Sequence, residues 1–351
     1  YMNNSLFPQL EPDVQFIGIA RLAQEGEALA EGHNVQYATI ENRSILTRCL
    51  SPRMPFTWMI NPYRGCEFAC KYCYARYTHE FMELRDGKDF ERRIFVKRHS
   101  AWLLQQELKQ VRSGEPIAIG TATDPYQPAE RKFQVTRALL EEFALHAGLN
   151  IGIVTKSDLV LRDLDVLREI ASQNRLTICM TVTTMNTGLA RSLEPRAPRP
   201  DLRIQAVKKL VEAGIRAGVN CAPVLPAITD SPADLEQLVR AAAEAGAGFV
   251  FSNPLFLKPC TEKVFMPFLR ESFPHLVAMY RQRYSGHAYL PPQYQNRIAA
   301  LIKKYCGKYG LCDRRAHSIP PRIHAEQPNQ MGLFTTEANG QNTGSRNRAI
   351  D

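Results

Sequence analysis

Short apolar stretches alternate with amphipathic stretches through the central part of the chain. Six apolar stretches have the length and composition of buried strands: Thr57–Asn61, Pro116–Gly120, Asn150–Thr155, Leu176–Thr183, Ala217–Pro223 and Ala247–Ser252. The intervening stretches carry apolar residues at helical spacing, which predicts helices over Ser100–Arg112, Thr136–Ala147, Asp163–Gln173, Asp201–Ala213 and Pro232–Ala245. Alternating strands and helices indicate βα units and a parallel sheet. Since six strands are too few for a closed eight-stranded barrel, the pattern predicts an α/β fold with a partial, open six-stranded parallel βα barrel.

The regions on either side of this pattern are less regular. Residues 1–55 are predicted to form an irregular N-terminal arm with one short helix over Ile19–Ala30, and Glu91–Lys97 is a candidate for an extra strand. Helical spacing returns in Pro267–Tyr284 and Gln293–Tyr305. The predicted organisation is therefore an arm over 1–55, a barrel over 56–257, a helical C-terminal extension over 258–310 and a polar tail over 311–351. The last stretch, Thr335–Asp351, has the composition of a disordered segment.

Composition is that of an ordinary globular protein. Of 351 residues, 44% are hydrophobic and 23% are charged. No apolar run approaches the ~20 residues that a membrane helix needs, and the first thirty residues lack the apolar core of a secretory signal. We therefore expect a cytoplasmic protein with no membrane partner. The net charge of +9 favours a polyanionic partner such as DNA or RNA, although a basic enzyme without such a partner fits equally well.

Three cysteines fall close together, directly after the first predicted strand. Cys66, Cys70 and Cys73 have the spacing C-x3-C-x2-C. Three thiolates on one tight loop can bind three irons of a [4Fe–4S] cluster and leave the fourth iron open, since such clusters usually take four cysteines. Structural zinc completed by a distant ligand is the alternative. Zinc ligands more often come in C-x2-C pairs, however, and the sequence holds no second pair.

This loop resembles that of the radical S-adenosylmethionine (SAM) superfamily, in which a C-x3-C-x-aromatic-C motif follows the first strand of a partial βα barrel. Tyr72 is the aromatic residue of the motif, and the resemblance implies that it packs near the adenine of SAM. The resemblance also implies a [4Fe–4S] cluster and SAM as cofactors, together with an external electron donor of the flavodoxin or ferredoxin type. Reductive cleavage of SAM then gives methionine and a 5′-deoxyadenosyl radical, which abstracts hydrogen from a substrate.

Later segments resemble the branch of the superfamily that contains spore photoproduct lyase, a DNA repair enzyme. The matching segments follow the second to fifth strands, and they are Thr121–Asp124, Thr155–Ser157, Leu193–Pro195 with Arg203, and Cys221–Pro223. All of them lie at the carboxyl ends of predicted strands, where ligand sites in parallel βα barrels form. The resemblance covers roughly Ser51–Leu257.

These strand ends supply the candidate contacts to SAM and to the substrate. Lys156 offers a charge for the SAM carboxylate, Thr123 and Thr181 offer hydroxyls for the ribose, and Ala222 is small enough for adenine to approach its backbone. Candidates for the substrate side of the pocket are Thr121, Asp124, Tyr126, Ser157, Glu194 and Arg203. The last two could instead form an ion pair within the scaffold, and each polar residue could also cap a strand end.

The sequence departs from the lyase at the position of its hydrogen-donor cysteine. The matching residue is Thr121, and a threonine O–H is a far poorer hydrogen-atom donor than a thiol. We therefore expect radical SAM chemistry on an unidentified substrate, with nucleic acid as the candidate, rather than strict lyase activity. The alternative is a non-catalytic iron–sulfur or zinc protein that binds nucleic acid. No recognised ligand spacing joins Cys260, Cys306 and Cys312, so they predict no second cluster.

The segment Gln330–Phe334 resembles the short Gln-x-x-Leu-Phe peptide with which bacterial DNA-maintenance proteins bind the sliding clamp. An extended peptide with two apolar anchors in a polar tail can occupy a groove on a partner. A bacterial sliding clamp is therefore a candidate partner. The alternative is that Leu333 and Phe334 fold back onto the barrel.

Overall fold

The computed structural model of the protein describes residues 16–32, 34–52 and 54–311. The strands are β1 Ala28–Gly32, β2 Val35–Ile40, β3 Leu46–Arg48, β4 Trp58–Ile60, β5 Tyr63–Arg64, β6 Arg93–Lys97, β7 Pro116–Ile119, β8 Asn150–Thr155, β9 Arg175–Thr181, β10 Ala217–Val224 and β11 Val250–Pro254. The α-helices are α1 Gly18–Gln24, α2 Tyr77–Glu80, α3 Asp89–Arg92, α4 Ser100–Glu107, α5 Ala129–Phe133, α6 Val135–Ala144, α7 Leu164–Gln173, α8 Thr187–Leu193, α9 Pro200–Glu212, α10 Pro232–Glu244, α11 Pro259–Ser272, α12 Val277–Arg283 and α13 Pro292–Lys308. Short 3₁₀ turns occupy Tyr74–Arg76, Leu108–Gln110, Asp158–Asp163 and Pro274–Leu276.

The larger sheet has seven strands in the order β11-β10-β9-β8-β7-β4-β3. The six strands from β11 to β4 run parallel, which confirms the α/β fold with six parallel strands. β3 pairs antiparallel with β4 at the edge. The sequence did not predict β3, because three residues are too short to show a period. Among the residues described, no backbone pairing joins β3 to β11.

The N-terminal region is not the irregular arm that the sequence predicts. β1 and β2 form an antiparallel pair, and together with β6 and β5 they make a second sheet in the order β1-β2-β6-β5. This sheet contains the extra strand predicted at Glu91–Lys97. The predicted helix over Ile19–Ala30 is too long, because α1 ends at Gln24 and β1 takes up the remainder. A Cβ at Gly26 would lie 2.1 Å from the carbonyl oxygen of Thr39, so the chain passes against β2 at this point.

The helices α11, α12 and α13 follow β11. The predicted helix over Pro267–Tyr284 is wrong in both its start and its continuity: α11 begins at Pro259, and a break separates it from α12. Phe273 lies outside the helical region at the break, with φ −141° and ψ 58°. The residue before a proline is disfavoured in the helical region, and Pro274 therefore ends α11. α13 covers the predicted Gln293–Tyr305 and buries Ile298, Ile302 and Tyr305 in the main core.

No helix in the described ranges is both long and apolar enough to cross a membrane. The domain limits predicted at residues 55, 257 and 310 stay a prediction. The tail, including Cys312, Gln330–Phe334 and Thr335–Asp351, lies outside the described residues.

Candidate active site

The cysteine loop follows β4 and is held through its backbone on two sides. The N–H of Cys66 donates to the carbonyl of Phe90 at 2.8 Å, and the N–H of Lys71 donates to the carbonyl of Leu193 at 2.9 Å. These two bonds fix the loop between the segment before β6 and the end of α8. The scaffold therefore fixes the backbone of the loop that carries the three cysteines.

The backbone conformation of Gly65 sets the direction in which the chain enters this loop. Its φ is +82°, and a Cβ there would lie 2.8 Å from the carbonyl oxygen of Arg93 and 2.9 Å from that of Phe90. Side chains other than glycine's hydrogen are strained at such a φ and would collide with backbone atoms. Glycine is therefore required directly before Cys66.

The three thiols lie in apolar surroundings. Cys66 and Cys70 are buried and Cys73 is half-buried. The apolar cluster around them includes Phe68, Tyr72, Leu193, Leu225, Leu255, Phe265, Leu269 and Tyr280. Burial raises the pKa of all three thiols, that of Cys70 to about 12. A buried thiolate needs a compensating positive charge, which a bound metal centre provides.

The three thiols of the loop do not converge on one position for a single metal ion. No group of three or more His, Cys, Asp or Glu side chains in the part of the chain that the structure describes could hold a metal ion as placed. Iron–sulfur clusters take thiolates on separate irons, so their ligands need not converge on one point.

Glu194 is the centre of a buried polar network beside the loop. The guanidinium of Arg203 lies 2.5 Å from Glu194 Oε2, and both side chains are only 1% exposed. The hydroxyls of Tyr72 and Thr183 donate to Glu194 Oε1, that of Thr183 at 2.9 Å. Burial raises the pKa of Glu194, but Arg203 and Lys156 outweigh it and hold that pKa below its ordinary value. The network therefore contains an ionised carboxylate that fixes the ring of Tyr72.

Further contacts of Arg203 favour the scaffold alternative for this ion pair. Its guanidinium also donates to the carbonyls of Pro198 at 2.8 Å and Thr181 at 3.1 Å. Arg203 thus joins β9 to the start of α9. The sequence did not single out Thr183, although the run of threonines at the end of β9 could have drawn attention to it.

Lys156 follows β8, and its ammonium lies 5.7 Å from the centroid of the Tyr72 ring. It forms no ion pair with a carboxylate among the residues described. Burial lowers its pKa, but Cys70 and Glu194 more than offset this and raise the pKa above its ordinary value. Lys156 is therefore a charged ammonium beside the cysteine loop.

Asp124 and Thr123 connect the end of β7 to neighbouring segments. Asp124 Oδ1 accepts the hydroxyl of Thr155 at 2.7 Å, and Oδ2 accepts the N–H of Lys156 at 2.7 Å. These contacts favour a strand-end cap over a substrate contact for Asp124. The hydroxyl of Thr123 donates to the carbonyl of Gly65 at 2.5 Å. Thr123 therefore holds the start of the cysteine loop through Gly65.

Gln127 also holds the cysteine loop in place, although nothing in the sequence indicates this role. Its side-chain nitrogen donates to the carbonyl of Gly65 at 3.1 Å and to the Thr123 hydroxyl at 2.9 Å. Its side-chain oxygen accepts the N–H of Glu67 at 3.0 Å. Gly65 and Glu67 lie at the start of the cysteine loop, whereas Thr123 and Gln127 follow β7. Only the fold brings these residues together.

The remaining predicted residues lie at or after strand ends, and their contacts differ from one residue to the next. The hydroxyl of Thr121 accepts from the side chain of Asn61 at 3.1 Å, and the carbonyl of Ala222 lies 3.3 Å from the hydroxyl oxygen of Thr183. Ser157 caps the 3₁₀ turn that follows β8. Tyr126 is buried near Asp163, and burial followed by that charge raises its pKa. Thr181 is buried at the end of β9. The structure thus groups Tyr72, Lys156, Glu194, Arg203 and Ala222 with the cysteine loop, and it places Ser157 and Tyr126 in local scaffold contacts.

Comparisons with known proteins identify the family and the fold of the chain. Residues 60–242 match the family model of the Radical SAM superfamily. An uncharacterised protein of Mycobacterium tuberculosis is 35% identical over 282 residues, which are 80% of this chain and 83% of that protein. An uncharacterised protein of Methanocaldococcus jannaschii is 29% identical over 255 residues, 73% of this chain and 90% of that protein.

Among solved structures, a mutant of spore photoproduct lyase with bound AdoMet and dinucleoside spore photoproduct matches with a TM-score of 0.61 and 14% sequence identity. The match covers 77% of this chain and 79% of that one. It confirms a shared fold, as the sequence resemblance implied. Since the family model spans more than half of the chain, and the Mycobacterium relative matches over most of both proteins, the chain belongs to the radical SAM superfamily.

Proposed function

We propose that this chain is a radical SAM enzyme that holds a [4Fe–4S] cluster on Cys66, Cys70 and Cys73 and acts on nucleic acid. The observation that carries the proposal is the placement of three thiols, the ammonium of Lys156 and the Glu194 network around one loop at the carboxyl end of the parallel sheet. When bound, the cluster supplies the electron for reductive cleavage of SAM. The positive charge of its irons would also offset the free-energy cost of burying ionised thiolates in apolar surroundings.

The residues beside the loop suit the polar groups of SAM. Lys156 has no carboxylate partner within the described chain, so its ammonium is available for the methionine carboxylate. The hydroxyl of Tyr72 is fixed by Glu194, which holds the ring beside Lys156 for contact with adenine. The Thr123 hydroxyl uses its proton on Gly65, so toward a ribose it can act only as an acceptor. Thr181 and Ala222 complete the proposed contacts at the ends of β9 and β10.

Nucleic acid is the proposed class of substrate. The chain carries a net charge of +9, and the lyase with the same fold has a structure with a bound dinucleoside. The sequence resemblance implies that Thr121 takes the place of the hydrogen-donor cysteine of the lyase, so we propose a reaction different from that of the lyase. A cytoplasmic location, a flavodoxin or ferredoxin as electron donor, and clamp binding through Gln330–Phe334 are further parts of this proposal.

Anaerobic reconstitution with iron and sulfide tests the enzyme proposal. Wild-type protein should develop the visible absorption of a [4Fe–4S] cluster and, with SAM and a reductant, release 5′-deoxyadenosine. Changing Cys66, Cys70 or Cys73 to Ala should abolish that release. Cys306→Ala is the matched control, because Cys306 is a half-buried cysteine on α13 away from the loop, and it should retain activity. Colourless wild-type protein with stoichiometric zinc would instead establish the non-catalytic alternative.

A further inference from the structure

An aromatic group lies beside the cysteine loop at the carboxyl edge of the sheet. Phe256, which follows β11, stacks on Tyr289 with ring centroids 4.3 Å apart. The ring of Tyr74, directly after Cys73, lies 6.3 Å from that of Phe256. Tyr74 is 39% exposed and Tyr289 is 48% exposed. Aromatic surface is thus open to solvent next to the proposed cluster site.

A cation without a carboxylate partner adjoins these rings. The ammonium of Lys258 lies 3.8 Å from the centroid of the Tyr77 ring and 5.7 Å from that of Phe256. Across the described residues, no carboxylate forms an ion pair with Lys258. Elsewhere many surface cations do have such partners, for example Arg98, Arg137, Lys208, Arg240 and Lys308. The charge of Lys258 is therefore available to a ligand.

We propose that this basic-aromatic surface, formed by Lys258, Tyr74, Phe256 and Tyr289, binds a single-stranded segment of nucleic acid. Proteins that bind single strands combine cations that follow the phosphates with rings on which bases stack. The exposed rings select unpaired bases, because a duplex keeps its base faces stacked. The inference rests on the proposed function, in that the bound strand would pass next to the cysteine loop.

Fluorescence anisotropy with the reconstituted full chain tests this surface. The probes are a labelled thymidine oligonucleotide of about 12 nucleotides, within the usual site size, and a duplex of equal length. The single strand should bind more tightly than the duplex, with an affinity that falls steeply with salt. Lys258→Gln and Tyr289→Ala should each weaken single-strand binding roughly five- to tenfold.

Lys208→Gln is the matched control, because Lys208 is an exposed lysine on α9 and its change removes the same charge. It should leave binding unchanged, whereas Lys258→Gln should lower the salt slope by about one. Circular dichroism of each variant establishes that it is folded. Equal losses in Lys208→Gln and Lys258→Gln, a preference for the duplex, or no binding by wild-type protein would overturn the inference.

The binding assay does not depend on SAM cleavage, so the two proposals fail separately. Wild-type protein that releases 5′-deoxyadenosine but binds no strand refutes only the surface. Protein that binds the strand through Lys258 and Tyr289 but forms no 5′-deoxyadenosine refutes only the enzyme.

Discussion

At the scale of single residues, Lys156 has the clearest test. A charge-assisted contact is worth about 1.5–3 kcal/mol, and about 1.4 kcal/mol is a factor of ten in affinity. Lys156→Met should therefore weaken SAM binding tenfold or more, as measured by calorimetry on the reconstituted protein. Lys303→Met on the exposed side of α13 is the control and should bind SAM normally. Unchanged affinity in Lys156→Met, with iron content intact, would make Lys156 a structural residue.

His79 gives a second prediction at this scale, on acid stability. The ring is 1% exposed, its Nε2 donates to the carbonyl of Arg93 at 2.9 Å, and its Nδ1 has no partner. Protonation would bury a charged N–H without an acceptor, and burial lowers the pKa from 6.5 to about 4. The unfolded chain therefore takes up the proton first as pH falls. Stability that is present above pH 6.5 is lost between pH 6.5 and 4, by up to about 3 kcal/mol.

Urea unfolding of cluster-free protein measures this effect. His79→Gln should flatten the pH dependence of the unfolding free energy between pH 6.5 and 4, while the exposed His275→Gln should follow wild type. Parallel curves for wild type and His79→Gln would show that His79 does not titrate as its burial requires.

At the scale of elements, the cysteine loop depends on backbone shape as much as on its ligands. Gly65→Ala places a Cβ within 2.8 Å of a carbonyl oxygen at a positive φ. The left-handed conformation alone costs roughly 1–2 kcal/mol for a residue other than glycine. We therefore expect Gly65→Ala to retain severalfold less iron after reconstitution, measured by iron and sulfide analysis.

Gly188→Ala is the matched control for this change. Gly188 lies in α8, and its added Cβ would make only an ordinary contact of 3.5 Å. Its iron content should equal that of wild type. If Gly65→Ala also loads a full cluster, the loop tolerates another entry angle, and the glycine is not required for cluster binding.

The elements also show why prediction from sequence succeeded in one region and failed in another. The parallel strands β8 and β9 are predominantly apolar and lie between amphipathic helices, so their pattern is easily recognised. β1 and β2 are short and mixed in polarity, and they become strands only because β6 pairs with β2. That partner lies more than fifty residues away in the sequence. Local periodicity therefore could not reveal the second sheet.

At the scale of the whole molecule, contacts between distant segments shape the candidate site. Tyr74 follows the first parallel strand and Phe256 the last, and their rings are 6.3 Å apart. The two ends of the parallel sheet therefore approach one another at its carboxyl edge. The spacing of Cys66, Cys70 and Cys73 identified the loop without this information. The partners of Glu67 and Gln127 could not be predicted, because they come from segments far apart in the chain.

Glu67 connects the cysteine loop to β2 of the smaller sheet and to α5, and this connection gives the last prediction. Its Oε1 accepts the N–H of Ala129 at 2.8 Å, and its Oε2 accepts the hydroxyl of Tyr37 in β2 at 2.9 Å. Tyr37→Phe keeps the ring but leaves Oε2 without its donor, which should cost about 1–3 kcal/mol. Hydrogen–deuterium exchange should then rise both in β2 and in residues 66–73. Tyr284→Phe is the control, because it removes a hydroxyl that donates to the carbonyl of Leu255 at 2.9 Å, in the C-terminal region. Its effect should stay near α12 and residue 255. Faster exchange confined to β2 in Tyr37→Phe would mean that Glu67 does not couple the smaller sheet to the loop.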